Sequence, residues 1–70
     1  MKIKLKLRNT LETRNMTTYQ LSQITGIAIP TLENWVNDRT MPRLDSYVKV
    51  AIALGLKVSD LYEVDNYDIS

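Results

Sequence analysis

Residues 17–39, from Thr17 to Arg39, read TTYQLSQITGIAIPTLENWVNDR, and their reading decides the fold. Thr17 has the character of a helix N-cap, with a hydroxyl able to accept from an amide two or three places on. Gln20 completes a T-x-x-Q capping box. A two-turn helix over Tyr19 to Thr25 follows, with Leu21 and Ile24 turned inward and small Ser22 beside them. Gly26 stops it, because glycine takes the positive φ of a sharp turn without strain. Ile27 is then a buried turn residue. The spacing predicts a second helix from about Ile29 to Asn37. Pro30 starts this helix rather than breaking it, since the first turn has no intrahelical acceptor for a proline's missing amide. Leu32, Trp35 and Val36 stand at i, i+3 and i+4 and form its inner stripe, which assigns Trp35 to the core. The opposite face carries Ile29, Pro30, Glu33, Asn34 and Asn37, with Thr31 at its edge.

On the N-terminal side, Lys2, Lys4, Lys6 and Arg8 alternate with Ile3, Leu5 and Leu7, the period of a strand. Leu7, Leu11 and Arg14 are instead at helical spacing. Two readings are open: a short extended segment at about 2–5 feeding a helix at about 5–14, or a helix that begins at Lys2. Asn15 suits the left-handed residue that ends a helix. On the C-terminal side, Asp38 to Pro42 is a turn-rich loop. A helix at about Leu44 to Leu54 buries Leu44, Tyr47, Val48, Ala51 and Leu54, and Gly55 ends it. Ser59 is expected to cap a fifth short helix, Asp60 to Glu63, with Asp60 favourably placed on its dipole. Leu56, Val58 and Leu61 fill that corner of the core. The tail, Val64 to Ser70, alternates loosely and reads as a strand or as a frayed end.

Seventy residues with 44% hydrophobic composition make one small domain, residues 1–70, neither disordered nor membranous. A chain of this size buries only about 60% of its unfolded surface. No apolar run approaches the ~20 residues of a membrane span. The alternating charges of MKIKLKLR exclude a secretory signal, so the expected location is cytoplasmic. Cysteine and histidine are both absent, which removes disulfides, thiolate metal sites and the commonest general base and metal ligand. No enzyme, metal or cofactor is expected. The net charge is +1 but unevenly spread. Residues 1–43 hold seven basic side chains against Glu12, Glu33 and Asp38, whereas residues 44–70 hold Lys49 and Lys57 against five acidic ones. Two readings of this spread are open: one face suited to a polyanion and another turned from it, or a surface kept soluble by mixed charge.

This punctuation resembles the lambda-repressor-like helix-turn-helix family, the Cro or xenobiotic-response-element type. The matching pieces are MTTYQLS at 16–22, TGI at 25–27, T-L-x-x-W at 31–35, NDRTMP at 37–42 and AIALGLKVSDLY at 51–62. The resemblance covers about residues 7–62, with the helix-turn-helix at 17–37. It implies an all-α fold of five short helices, with room for extended segments at both ends. It also implies a sequence-specific DNA-binding transcriptional regulator of repressor type, working on double-stranded DNA as a homodimer, with no small-molecule ligand. The family's core positions fall on Leu21, Gly26, Ile27, Leu32 and Trp35, with its small residue at Ser22. Its phosphate-touching positions fall on Thr17, Thr18 and the stretch Asn37, Asp38, Arg39 and Thr40, and a residue near the minor groove falls on Arg43. Its base-facing positions fall on Ala28, Ile29, Pro30, Thr31 and Asn34, with Glu33 at the margin. The chain departs from the pattern at Asp38 (usually Gly), at Thr10 (usually a large aliphatic), and at apolar Ile29 and Pro30, where long polar side chains are common.

The chemistry this implies is simple. The N-terminus of the helix at Thr17 offers free amides and a positive dipole end to a phosphate, with the Thr17 and Thr18 hydroxyls beside it. Arg39, Arg43 and Arg14 supply charge, each neutralised phosphate adding about one unit to the salt slope. Asn34 can pair bidentately with adenine, and Thr31 or Ile29 can meet a thymine methyl. Two other readings use the same scaffold: a protein-interaction module without DNA binding, and an antitoxin-like promoter-binding protein. Dimer contacts are expected from the N-terminal alternating segment, the last helix, and the tail with Tyr62, Tyr67 and Ile69. The Lys-bearing segment could also pair with the acidic tail, within one chain or between two.

Overall fold

Leu7, Leu21, Leu32, Val50 and Leu61 are completely buried, and the chain is arranged around them. The structure is a computed structural model describing residues 2–65. In chain order it contains β1 (Lys2–Leu5), α1 (Leu7–Thr13), α2 (Thr18–Thr25), α3 (Ile29–Val36), α4 (Leu44–Leu54), a 3-10 turn (Val58–Leu61) and β2 (Tyr62–Asp65). Trp35 and Tyr47 complete the core edge to face, with ring centroids 6.1 Å apart and planes at 89°.

The helix ends form where the local sequence demands. Asn15 adopts φ 56° after α1, Gly26 φ 75° after α2, and Gly55 φ 70° after α4. The amide of Met16 returns to the carbonyl of Leu11 at 2.9 Å, which closes α1. Thr10 is half-buried in α1, and its hydroxyl is satisfied by the Lys6 carbonyl at 2.8 Å.

The helical expectation holds in part: the helix count is corrected, and the extended end segments form a strand pair. Among the described residues there are four α-helices, and β1 pairs antiparallel with β2 in the register Lys2↔Asp65, Ile3↔Val64, Lys4↔Glu63 and Leu5↔Tyr62. The expected fifth helix, Asp60 to Glu63, is a single 3-10 turn ending at Leu61. Its last carbonyl accepts from the Lys6 amide at 2.8 Å and the Tyr47 hydroxyl at 2.6 Å, and the backbone from Tyr62 onward is taken up by β1. The cap also moves. The Asp60 carboxylate accepts from the Lys57 amide at 3.0 Å, and Ser59 lies inside the turn. Of the two readings of the N-terminus, the strand is the one adopted. The Lys-bearing strand and the acidic segment meet within one chain; residues 66–70, with Tyr67 and Ile69, lie outside the described residues.

Three core assignments also change, the first in α4, where Val48 is only half-buried and Val50 takes the buried position instead. Ile24 is 54% exposed. The inner side of α2 runs through Leu21, Ser22 and Thr25, whose hydroxyls bond to the turn, and this rotates Ile24 outward. Leu44 is 69% exposed because it opens α4 beyond the core, whose face is Tyr47, Val50, Ala51 and Leu54.

Candidate nucleic-acid interface

The α2–α3 corner is built by short-range hydrogen bonds. Thr17 accepts from the Gln20 amide at 3.1 Å, and the Gln20 side chain accepts from the Thr17 amide at 2.9 Å, so the capping box is complete. At the turn, the Ser22 hydroxyl donates to the Ile27 carbonyl at 2.6 Å and the Ile27 amide donates to Thr25 Oγ1 at 3.2 Å. The turn is thereby held from both sides of Gly26. Pro30 occupies the first turn of α3, and the amides of Thr31 and Leu32 both reach the Ala28 carbonyl at 3.1 Å.

With Leu32 and Trp35 buried, α3 presents the strip Pro30, Asn34 and Asn37 outward, at i, i+4 and i+7. Pro30 and Asn37 are exposed and Asn34 is half-buried. Ala28, Ile29 and Thr31 are exposed around the start of the helix. Thr17 is exposed and Thr18 half-buried at the start of α2. The Thr18 hydroxyl is engaged: it donates to Glu33 Oε1 at 2.7 Å.

Beyond α3, Asp38 takes the left-handed conformation at φ 57°. Its amide donates to the Trp35 carbonyl at 3.2 Å and that of Arg39 to the Asn34 carbonyl at 2.8 Å. Asp38 therefore takes a backbone conformation that favours glycine, at the price of a carboxylate. Arg39 and Thr40 line an open cleft of about 510 Å³ together with Lys4 and Glu63 of the strand pair. Arg43 is exposed 3.7 Å from Asp45, itself exposed, a pair worth little in solvent and readily exchanged for another anion. Arg14 is exposed at the end of α1.

Arg8 joins the group without having been foreseen. Its Nη2 donates to Asn37 Oδ1 at 3.0 Å, while Asn37 Nδ2 donates to the Glu33 carbonyl at 2.9 Å. In the sequence Arg8 was one member of an alternating charge pattern, and nothing local marks a bond spanning 29 positions.

The model of the Cro/C1-type helix-turn-helix DNA-binding domain matches residues 6–66. The chain belongs to that family. The Cro/C1-type match runs from the residue before α1 to the residue after β2, so the four helices and β2 lie within it and β1 precedes it. No curated protein sequence matches the chain. Among the described residues no helix is long and apolar enough to cross a membrane.

Proposed function

We propose that this Cro/C1-type domain is a sequence-specific transcriptional regulator that inserts α3 into the major groove and binds as a homodimer. The observation carrying the reading is the outward strip of α3. Asn34 and Asn37 lie on that strip, the adjoining Glu33 is bonded to Thr18 at the capped N-terminus of α2, and Arg39 and Arg43 follow α3 in the chain. Asn34 is assigned the direct contact to adenine, with Thr31, Ile29 and Ala28 against thymine methyls and Pro30 shaping the helix start. Phosphates are assigned to the α2 amides with Thr17, to Asn37, Arg39 and Thr40, and to Arg43 at the minor-groove side. Thr18 adds its backbone amide there, since its hydroxyl proton is given to Glu33.

One such domain reads few base pairs, so a two-fold pair on a two-fold site is the natural assembly. A two-fold axis along either edge of the strand pair would set Lys4 near its own copy, or Glu63 near its own, and like charges oppose that. The face carrying Ile3, Val64, Met41 and Leu44, all exposed, is the better surface for a second copy.

The test is enrichment from random duplexes at about 50 and about 200 mM salt, alongside Asn34→Ala and Arg43→Ala. DNA binding predicts a steep loss with salt, a changed base preference for Asn34→Ala and a shallower salt slope for Arg43→Ala. A second reading, a protein-interaction module, draws on exposed apolar Ile29 and Pro30. Absence of enrichment at low salt would leave that one standing.

A further inference from the structure

The bond from Thr18 Oγ1 to Glu33 Oε1, at 2.7 Å, ties the first residue of α2 to the outward side of α3. A hydroxyl–carboxylate bond is charge-assisted and about twice as strong as a neutral one. Both side chains are half-buried, so the carboxylate is held in one place. The same residue is gripped through its backbone: its carbonyl accepts from Asn37 Nδ2, and Asn37 in turn accepts from Arg8. Helices α1, α2 and α3 thus converge on Glu33. On the helix surface Glu33 neighbours Pro30, Ile29 and Asn37 at three- and four-residue spacings, so it borders the outward strip.

An ionised carboxylate only accepts hydrogen bonds, and Thr18 supplies one of its donors. Whatever lies opposite must supply another. In the major groove the available donors are the exocyclic amino groups of cytosine and adenine, while guanine O6 and N7 and thymine O4 are acceptors that a carboxylate repels. Adenine sets its acceptor N7 beside the amino group, against the second carboxylate oxygen. On its own base cytosine N4 is flanked by C5–H rather than by an acceptor, which puts cytosine first.

We propose that Glu33 is a specificity-determining residue that accepts from an exocyclic amino group of the bound duplex, cytosine N4 foremost, and that Thr18 is its positioning residue. The proposal rests on the DNA-binding reading above. Its test is selection from random duplexes at about 50 mM salt with the wild type, Glu33→Gln and Thr18→Val. Glu33→Gln keeps an acceptor for Thr18 and so keeps the fold, which a thermal melt verifies. The wild type is expected to require cytosine at one position of the selected site. Glu33→Gln should move that position alone to adenine, which an amide pairs bidentately, changing the preference about tenfold. Thr18→Val should weaken the cytosine preference at the same position and nowhere else. If Glu33→Gln instead tightens binding to every duplex by one factor and leaves all preferences unchanged, the carboxylate merely repels phosphates and the proposal is overturned. No enrichment by the wild type removes the DNA-binding reading itself, a result distinct from either of these.

Discussion

Tyr47 ties three separated parts of the chain through one oxygen. The Leu61 carbonyl takes both the Tyr47 hydroxyl and the Lys6 amide, so α4, the 3-10 turn and the β1–α1 junction meet at that atom. Tyr47→Phe leaves the carbonyl one partner and should lower stability by about 1 kcal/mol in urea unfolding. Burial, then the negative charge of Asp38, raises the Tyr47 pKa above its ordinary value. The fold therefore keeps that proton where the unfolded chain releases it, from about pH 10 upward. This contribution to stability is complete below pH 10 and is lost as the pH climbs beyond it; in Tyr47→Phe that part of the alkaline decline should vanish. Asp38 is the other informative residue. Its left-handed backbone disfavours a side chain, so Asp38→Gly is expected to stabilise by up to about 1 kcal/mol, a rise of several degrees in Tm. Its conformation was legible because a glycine is usual there. Its charge beside Tyr47 was not, because the two meet only in the folded chain.

A two-turn helix such as α2 does not persist alone, so its ends decide whether it forms. Thr17→Ala removes the side-chain arm of the capping box and should lower stability by about 1 kcal/mol, measured by denaturant unfolding. Gly26→Ala should also lower it by about 1 kcal/mol. A Cβ there meets nothing within 4 Å, so the whole effect is the left-handed backbone at φ 75°. Because these bonds orient α3, both variants should weaken DNA binding more than stability alone explains if the proposed interface is right. The caps and turns were readable because partner and donor lie within five positions of each other. Ile24 was misread for a related reason: apolar character at helical spacing marked two inward residues, but the hydroxyls of Ser22 and Thr25 bond into the turn and set the actual inner side.

Across the whole molecule, the strand pair joins the two ends of the described chain and sets Lys4 opposite Glu63. Opposite charges at such positions contribute roughly 0.2–1 kcal/mol, and like charges oppose pairing by a similar amount. Lys4→Glu should therefore destabilise by under about 1 kcal/mol, and adding Glu63→Lys should restore most of the loss in a thermal melt. The sequence alone determined the four α-helices, the capping box of α2, the left-handed residues at Asn15, Gly26 and Gly55, and the placement of Leu32 and Trp35 in the core, because each is settled by neighbours within a turn or two. Only the tertiary structure decided the strand pairing, the shortening of the expected fifth helix to one turn, the exposure of Leu44 and the convergence of Arg8, Thr18 and Asn37 on Glu33. Those features depend on backbone and side-chain groups far apart in sequence competing for the same partners, and local patterning carries no record of which partner wins.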